Sequence, residues 1–340
     1  RLPADLDQRV RAAGGQVVRS YPQIGVAIVR GGSADLAARV RRGGGIESVT
    51  PDQVIQWVDP GRPPRGDAPL DGVGAAAVES DVPSIGDDES FYALQWAPRV
   101  VDAPTAWNAG LTGAGVRVAV LDGGIYSGHL DLAPNLDVAA SRSFVPGFAY
   151  DEDVGTFWHG THVAGIVAAA HNGIGTIGIA PDATIVGVKV LHDGSGAFEW
   201  VIAGIMYAAT PVAEGGGGAH VINMSLGAVI DDKAQGTKAE VRELRKAIDR
   251  ATRYAWQRGV TVVAATGNDG IDFDAAKNLW GTPAQNQHVL SVAATGPHGW
   301  ALGATDFERP AYYTNHGKSI VDVAAPGGTV GLYVVDGIDQ

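Results

Sequence analysis

The sequence predicts an α/β protein built around a mainly parallel β-sheet and preceded by a small α+β unit. Two observations lead to this prediction: short, nearly continuous apolar segments recur after residue 91, and helical segments separate them. Apolar runs of this kind are typical of parallel strands buried on both faces, and their alternation with helices favours an open sheet. The predicted strands are 116–121, 184–190, 221–224, 260–265, 289–293 and 319–324.

Helices are predicted at residues 160–170, 198–209 and 238–258. The last has the clearest amphipathic pattern, because Val241, Leu244, Ile248 and Ala251 recur at helical spacing. In open parallel sheets, functional residues collect at the carboxyl ends of the strands. We therefore look for candidate site residues just after each apolar run.

The first 58 residues read as a separate unit. Their predicted order is helix, strand, strand, helix, strand, which is that of a ferredoxin-like fold without its first strand. The strands are expected at 16–20, 24–30, 46–50 and 53–58, and the helices at 5–13 and 33–42. Residues 59–90 are rich in Pro, Gly and Asp, which is typical of a linker open to proteolysis. The unit that begins at residue 91 extends to residue 340.

Composition excludes several classes of function. The 37 acidic against 25 basic residues give a net charge of -12, which argues against nucleic acid and anionic membranes as partners. The absence of cysteine excludes disulfides and thiolate metal sites. No apolar run is long enough to span a membrane, and the 48 glycines imply many tight turns and close backbone contacts.

A histidine-rich segment, Trp-His-Gly-Thr-His-Val-Ala-Gly, opens the helix predicted at 160–170. We consider His159 the candidate reactive group. A single histidine at a helix start is usually a surface or capping residue, and His159 with His162 could also bind a metal. The metal interpretation needs further ligands, and metalloprotease histidines lie four residues apart with a Glu between them, neither of which is found nearby.

Polar residues follow three of the predicted strands. Asp122 comes after the first, Asn268 after the fourth, and Asn223-Met224-Ser225 ends the third. Each alone is most simply a turn or capping residue. Together with His159 they form a set in which an Asp orients an imidazole, the His acts as a general base and an Asn amide donates to an oxyanion.

The motifs around these residues resemble those of the subtilisin-like serine proteases, in the family's chain order of Asp before His. The resemblance covers about residues 91–330 and departs at Asp122, which the family usually follows with Thr or Ser and then Gly. The matching segments are Val-Leu-Asp122-Gly-Gly, His159-Gly-Thr-His-Val-Ala-Gly, Asn223-Met-Ser-Leu-Gly and Ala-Thr-Gly-Asn268.

The resemblance implies a subtilisin-like three-layer fold and a set of roles. Asp122 would be the orienting acid, His159 the general base and Asn268 the oxyanion donor. Two edges would hold a peptide substrate as an added strand, while residues 265–267 would line a pocket for an uncharged side chain. The residues of these edges are Gly194, Ser195, Gly196, Ser225, Leu226 and Gly227.

A structural calcium ion and an inhibitory propeptide are implied in the same way. Gln95, Asp131 and Asn172 match positions that bind Ca²⁺ in many relatives, and their oxygen atoms are ligands that Ca²⁺ prefers. Asp131 and Asn172 could instead be ordinary turn residues. Residues 1–58 resemble the family's propeptide, which inhibits its own protease, and the similarity is carried by residues 46–52.

The family's nucleophile lies in a Gly-Thr-Ser motif, and the 340 residues contain no such triplet. From the resemblance we expect the parent protein to be a secreted serine endopeptidase made as a zymogen, with its serine outside these residues. The first strand of the front unit is missing as well, so the chain resembles a fragment of a longer precursor. The 340-residue chain would then be inactive unless a second polypeptide supplies the serine. The alternatives are a non-catalytic binding protein on the same scaffold and a metal-dependent hydrolase using His159 and His162.

Overall fold

The computed structural model describes residues 1–58, 82–155, 158–231, 238–296 and 307–328. The helices are α1 (Leu6–Ala12), α2 (Leu36–Arg41), α3 (Ala97–Val100), α4 (Ala103–Asn108), α5 (His159–Ala168), α6 (Phe198–Ala209) and α7 (Lys238–Gln257). The strands are β1 (Gly15–Tyr21), β2 (Val26–Gly31), β3 (Val54–Gln56), β4 (Arg117–Asp122), β5 (Arg142–Ser143), β6 (Thr184–Lys189), β7 (Ser195–Ala197), β8 (Val221–Met224), β9 (Ala228–Asp231), β10 (Thr261–Ala265), β11 (Leu279–Thr282), β12 (Val289–Thr295) and β13 (Val323–Pro326). Short 3-10 helices span Ile85–Asp88, Tyr92–Leu94 and Val212–Glu214.

A seven-stranded sheet with the order β13-β12-β10-β8-β4-β6-β5 forms the centre of the molecule. Every neighbouring pair in it is parallel, as the apolar runs predict. The prediction is wrong for the last strand, which begins at Val323 rather than at residue 319. Residues 318–320 form a turn instead, and the Asp322 carboxylate accepts a hydrogen bond from the backbone of Ser291 just before pairing begins.

Helices cover both faces of this sheet, which gives three layers. Alternate residues of β4 point to opposite faces. Ala119 and Leu121 pack in the cluster that holds α6 and α7, whereas Val118 and Val120 pack with α5. Full burial of a side chain the size of Leu121 stabilises the fold by about 1.5–3 kcal/mol. No helix in the described part of the chain is long and apolar enough to cross a bilayer.

The front unit differs from the ferredoxin-like prediction. Its sheet contains only β1 and β2 among the described residues, and α1 and α2 pack on it. Residues 46–50 form no strand, because Glu47 and Ser48 contact α7 while Ile46 and Val49 pack on the core of the front unit. The strand predicted at 53–58 is present as β3, but it pairs with β7 of the main unit rather than with the front sheet.

The segment before the main unit is partly built into it. Residues 82–90 were predicted to belong to the linker, whereas in the structure they include a 3-10 helix capped by Ser84. Glu89 is buried and its carboxylate accepts hydrogen bonds from the backbone at residues 172 and 173. The rest of the predicted linker, residues 59–81, lies outside the described residues.

Candidate active site

The end of β4 and the start of α5 bring Asp122 and His159 together. The Nδ1 atom of His159 lies 2.9 Å from each carboxylate oxygen of Asp122. Asp122 is buried, and its Oδ1 also accepts a hydrogen bond of 2.6 Å from the backbone N–H of Gly123. This pairing presents Nδ1 of the imidazole to the acid, which is the orientation that a general base requires.

Opposing effects act on the pKa of His159. Burial of the imidazole lowers it, whereas the Asp122 charge, the hydrogen bond to Asp122 and the Asp153 charge raise it. The net pKa is raised from the ordinary value of 6.5, so the carboxylates outweigh desolvation. The site therefore favours the imidazolium that forms when the base accepts a proton.

Two glycines allow the acid and the base to approach. A Cβ atom built on Gly160 would lie 2.1 Å from the carbonyl oxygen of Gly124 and 3.0 Å from Cβ of Asp122. Gly124 has a φ of +129°, and a Cβ there would lie 2.9 Å from two backbone oxygens of the 150–152 loop. The first turn of α5 can pack against the loop after β4 because neither position carries a side chain.

Lys189 supports the same loop, and the sequence analysis missed it. It is fully buried at the end of β6, and its Nζ donates to the carbonyls of Gly123 and Glu152, the latter at 2.9 Å. Burial lowers the pKa of Lys189, opposed by the charges of Asp153, Glu152 and Asp122. A lysine within the apolar run 184–190 was the sequence signal that could have identified it.

A cavity of about 170 Å³ opens beside the Asp–His pair. Asn268 lines it together with Asp122 and His159, so the structure places all three predicted catalytic residues around one space. No serine occurs among the described residues that line this cavity. The arrangement contains an oriented base and a side-chain amide next to a volume that a reacting group could enter.

The predicted substrate edges are filled by the chain itself. Residues 53–58, which we call the tail, run antiparallel to β7, with Ile55 opposite Gly196 and Gln56 opposite Ser195. On the other side, the N–H of Gly227 donates to the carbonyl of Trp57 at 2.9 Å. The tail therefore lies between the two edges as an added strand, and Val58 reaches the cavity beside His159.

Trp57 anchors the tail. Only 3% of its side chain is exposed, and its ring meets Phe198 edge to face with 5.0 Å between ring centroids. The indole Nε1–H donates to the carbonyl oxygen of Gly196 at 2.9 Å. The edge that contains Gly194 thus continues into a pocket that holds a large aromatic side chain.

The loop after β10 is held by Asn315, another residue that the sequence analysis missed. Its Nδ2 donates to the Thr266 carbonyl at 2.9 Å, and the Thr266 hydroxyl donates to the Asn315 carbonyl at 3.1 Å. A Cβ built on Gly267 would lie 2.5 Å from this Nδ2. These contacts fix the backbone that carries Asn268.

The described residues offer no set of metal ligands around His159 and His162 that would support the metal-hydrolase alternative. Within the described ranges, no group of three or more His, Cys, Asp or Glu side chains is arranged to hold a metal ion. The side chain of His162 is exposed on α5. Partial desolvation of its ring, together with the His159 charge, lowers its pKa. The Nδ1 of His159 is already paired with Asp122.

Of the three predicted calcium residues, Asn172 lies in the loop 170–177, and Gln95 and Asp131 contact this loop. Asp131 accepts the Thr176 N–H through Oδ2 at 2.9 Å, and the Asn172 side chain accepts the Ile174 N–H. The side-chain amide of Gln95 donates to the Ile177 carbonyl and accepts from the Ile177 N–H.

Glu89, which the sequence analysis missed, lies against this same loop. Its Oε1 accepts hydrogen bonds from the N–H groups of Asn172 at 2.7 Å and Gly173 at 3.0 Å. The second oxygen of Glu89 and Oδ1 of Asp131 are both buried without a hydrogen-bond partner. Two carboxylate oxygens at one loop are thus left for another ligand.

Comparisons with known proteins agree with this geometry. The profile of the subtilase family matches residues 113–338. The chain is similar to subtilisin BL of Lederbergia lenta, with 38% identity over 236 residues that cover 69% of this chain and 72% of that protein. It is equally similar to an alkaline protease of Alkalihalobacillus alcalophilus, with 38% identity over 69% of this chain and 51% of that protein.

Solved structures show the same fold. The epidermin leader peptide processing serine protease of Staphylococcus aureus aligns with a TM-score of 0.73 and 23% identity, covering 100% of this chain and 76% of that one. A protease of Pseudoalteromonas arctica aligns with a TM-score of 0.52 and 32% identity over 67% of each chain. The chain therefore belongs to the subtilase family, the subtilisin-like serine proteases.

Proposed function

We propose that this subtilase is a serine endopeptidase in which Asp122 orients His159 and His159 acts as the general base. The observation that carries the proposal is the contact of the His159 Nδ1 with both oxygens of the buried Asp122. Family membership supports the reaction class, and Asn268 beside the same cavity supports its role as oxyanion donor.

The reaction would follow from these positions. The Nε2 of His159 takes the proton of a serine hydroxyl as its oxygen attacks the peptide carbonyl, and Asp122 stabilises the imidazolium. The Asn268 amide donates to the carbonyl oxygen as it becomes negative. His159 then gives the proton to the departing amine as the C–N bond breaks. Water attacks the acyl-enzyme and gives a proton to His159, which returns it to the serine oxygen as the ester bond breaks. The serine would come from a Gly-Thr-Ser segment, a triplet that the printed sequence does not contain.

We further propose that residues 1–58 are an inhibitory propeptide and that substrates are extended peptides. The tail occupies both predicted substrate edges and ends at the cavity beside His159. A substrate would replace it as an added strand, so main-chain hydrogen bonds would supply affinity. Secretion belongs to the same proposal and rests on the resemblance alone.

The test is a serine-directed fluorophosphonate probe applied to the natural protein, combined with its intact mass. We expect labelling of a serine outside these 340 residues once the tail is released, and no labelling of a polypeptide made of residues 1–340 alone. A His159→Ala variant should lose the label, whereas His288→Ala, at an exposed histidine that stacks on Trp256 and does not line the cavity, should keep it. A natural protein that never takes up the probe would instead be a non-catalytic binding protein.

The labelling rate should depend on pH with a defined sign. The base must be neutral to accept a proton, and the His159 pKa is raised above 6.5 by its carboxylate neighbours. The rate should therefore be low at pH 6 and increase as the pH rises through this raised pKa. An increase centred below pH 6.5 would contradict the assignment of His159 as the base.

We also propose a structural calcium ion at the loop 170–177. Hard oxygen ligands suit Ca²⁺, and the buried, unpaired oxygens of Glu89 and Asp131 fit such an ion. When bound, the ion would neutralise these carboxylates and fix the loop. Asn172 would contribute from the loop, whereas the satisfied amide of Gln95 favours Glu89 in its place.

Calcium at about 100 times its Kd should stabilise the fold by ~2.7 kcal/mol, which corresponds to about 4 °C in Tm. Glu89→Gln and Asp131→Asn should each reduce this gain, because each removes one carboxylate. Asp88→Asn, at an exposed neighbouring position, is the matched control and should leave it unchanged. Thermal unfolding with calcium, and with a chelator followed by added calcium, measures the gain. An equal gain in all variants would reject the site.

A further inference from the structure

Helix α5 begins without a capping side chain of its own. Its N-cap residue is Trp158, which has a φ of +43° and makes no side-chain cap. The cap comes instead from Asp153, whose Oδ2 accepts hydrogen bonds from the backbone N–H of Thr161 at 2.8 Å and from its hydroxyl at 2.6 Å. A carboxylate at a helix N-terminus is favoured both by the free N–H groups and by the helix dipole.

The same hydrogen bonds reach the loop that follows the catalytic acid. The Thr161 hydroxyl accepts a hydrogen bond of 2.9 Å from the backbone N–H of Tyr126 while it donates to Asp153. Asp153 therefore ties the first turn of α5, which carries His159, to the chain just after Asp122. The relative placement of base and acid depends on this connection.

The second carboxylate oxygen of Asp153, Oδ1, does not take part in this cap. Asp153 is 8% exposed, and its Oδ1 is buried without a hydrogen-bond partner. Oδ1 lies 3.2 Å from the position of a Cβ atom built on Gly123, and Asp153 lines the cavity that also contains Asp122 and His159. Burial raises the pKa of Asp153, while the hydrogen bonds from Thr161 lower it.

Three charged or titratable groups in the described part of the chain act on His159 or respond to it. Asp122 faces it from β4, Asp153 from the loop before α5, and His162 from α5 itself. The charge of Lys189 acts on Asp153, and its ammonium donates hydrogen bonds to the carbonyls of Gly123 and Glu152. Among the described residues, both Asp122 and Asp153 therefore act on the imidazole, and a catalytic triad uses one such carboxylate.

We propose that Asp153 is a positioning residue for His159: it fixes the first turn of α5 through Thr161 and places a second negative charge beside the imidazole. Its contribution to catalysis rests on the proposed function. Its effects on the imidazole and on α5 are properties of the chain itself. Among the described residues that line the cavity, Asp122 and Asp153 are the only carboxylates. Asp153 is therefore the lining residue that can supply a second negative charge.

The test is an NMR titration of the His159 imidazole in the full 340-residue chain, with the signal assigned through His159→Gln. Asp153→Asn keeps a side-chain oxygen for Thr161 but removes the charge, so the pKa of His159 should fall by roughly 0.5–1, the effect of one partly screened charge nearby. Asp151→Asn is the matched control, because that carboxylate bonds Ser127 instead, and it should leave the pKa unchanged. Asp122→Asn should produce the larger fall.

A second variant separates the charge from the cap. Asp153→Ser supplies a neutral capping hydroxyl, so it should lower the pKa of His159 as Asp153→Asn does. A His159 pKa that stays within about 0.2 of the wild-type value in either folded variant would overturn the proposal, since a purely structural cap would not change it. Failure of both variants to fold would also overturn it, by showing a structural role only. A lowered pKa with no probe labelling of the natural protein would reject the protease function and keep this inference.

Discussion

The front unit contacts the main unit in two very different ways. The tail, residues 53–58, is hydrogen-bonded on both sides and buries Trp57 almost completely. The body, residues 1–52, faces α6 and α7 across a crevice of about 910 Å³. It contacts the main unit through half-exposed charges and through Tyr21 and Ile24, which are only partly buried against the main core. Glu47 meets Arg250 at 2.7 Å, and Ser48 donates to Glu243 at 2.7 Å.

The difference indicates where the docking energy lies. Burial of an aromatic anchor is worth several kcal/mol, whereas an exposed ion pair contributes about 0–1 kcal/mol. Trp57 of the tail should therefore make the largest single contribution to docking, and the ion pairs of the body should contribute much less. Each of the following experiments tests one side of this contrast.

The largest effect should come from Trp57→Ala. Truncation of a buried Trp costs about 3–5 kcal/mol, so the tail should open and the Gly227 amide, which donates to the Trp57 carbonyl, should exchange more than a hundredfold faster. Hydrogen exchange of this amide is the measurement. Val54→Ala is the matched control, because Val54 lies on the same strand but is 63% exposed. Unchanged exchange in Trp57→Ala would show that the tail is held by other contacts.

A smaller effect is expected from the ion pair of the body. Glu47→Ala removes the contacts with Arg250 and Lys246, in which the side chains are between 38% and 61% exposed, so docking should weaken by less than about 1 kcal/mol. The loss should disappear in 1 M salt, where such charges are screened. The free energy of docking, measured in low and high salt, decides this. A loss as large as that of Trp57→Ala would reverse the contrast between tail and body.

The smallest effect should be the response to acid, which acts oppositely on two carboxyl groups of this interface. Hydrogen bonds from Lys246 and Ser48 lower the pKa of Glu243 from 4.5, so the stability that Glu243 contributes is present above 4.5 and lost as the pH falls through its lowered pKa. Burial raises the pKa of Asp52 from 3.8, so protonation of Asp52 favours the docked state as the pH falls through that raised value.

Acidification should thus loosen the contact between Ser48 and Glu243 before it affects Asp52 and the tail that follows it. Amide chemical shifts followed from pH 7 downward should show Ser48 approaching its undocked value only below 4.5, while Gly227 keeps its docked value. The undocked reference is the Trp57→Ala variant. Movement of both signals together would indicate that tail and body dock as one unit.

Much of the main unit could be predicted from the sequence. The segments Val221–Met224 and Phe198–Ala209 occur where the apolar patterns place them, because strands and helices buried on their neighbours carry a strong local signal. The Asp122–His159 pair was also within reach, since strand ends of a parallel sheet converge at one edge. The last strand was misplaced because a turn, and not the apolar run, decides where it begins.

Contacts between segments that are distant in the chain could not be predicted from the sequence. The β-pattern of Val54–Gln56 does not specify a partner, and the structure gives it β7 rather than the front sheet. Glu89 looked like part of an acidic linker, yet its carboxylate is buried against residues 172 and 173. Periodicity reports which face of an element is buried, but not which element buries it.

The sequence by itself determined the parallel α/β architecture, the family and the candidate acid, base and amide, because each is encoded in a short continuous motif. Only the tertiary structure decided that the tail lies between the predicted substrate edges and that Asp153 and Lys189 support the Asp–His pair. A buried charge is stable only when distant groups supply its partners. Those partners are defined by packing in space, which no local pattern records.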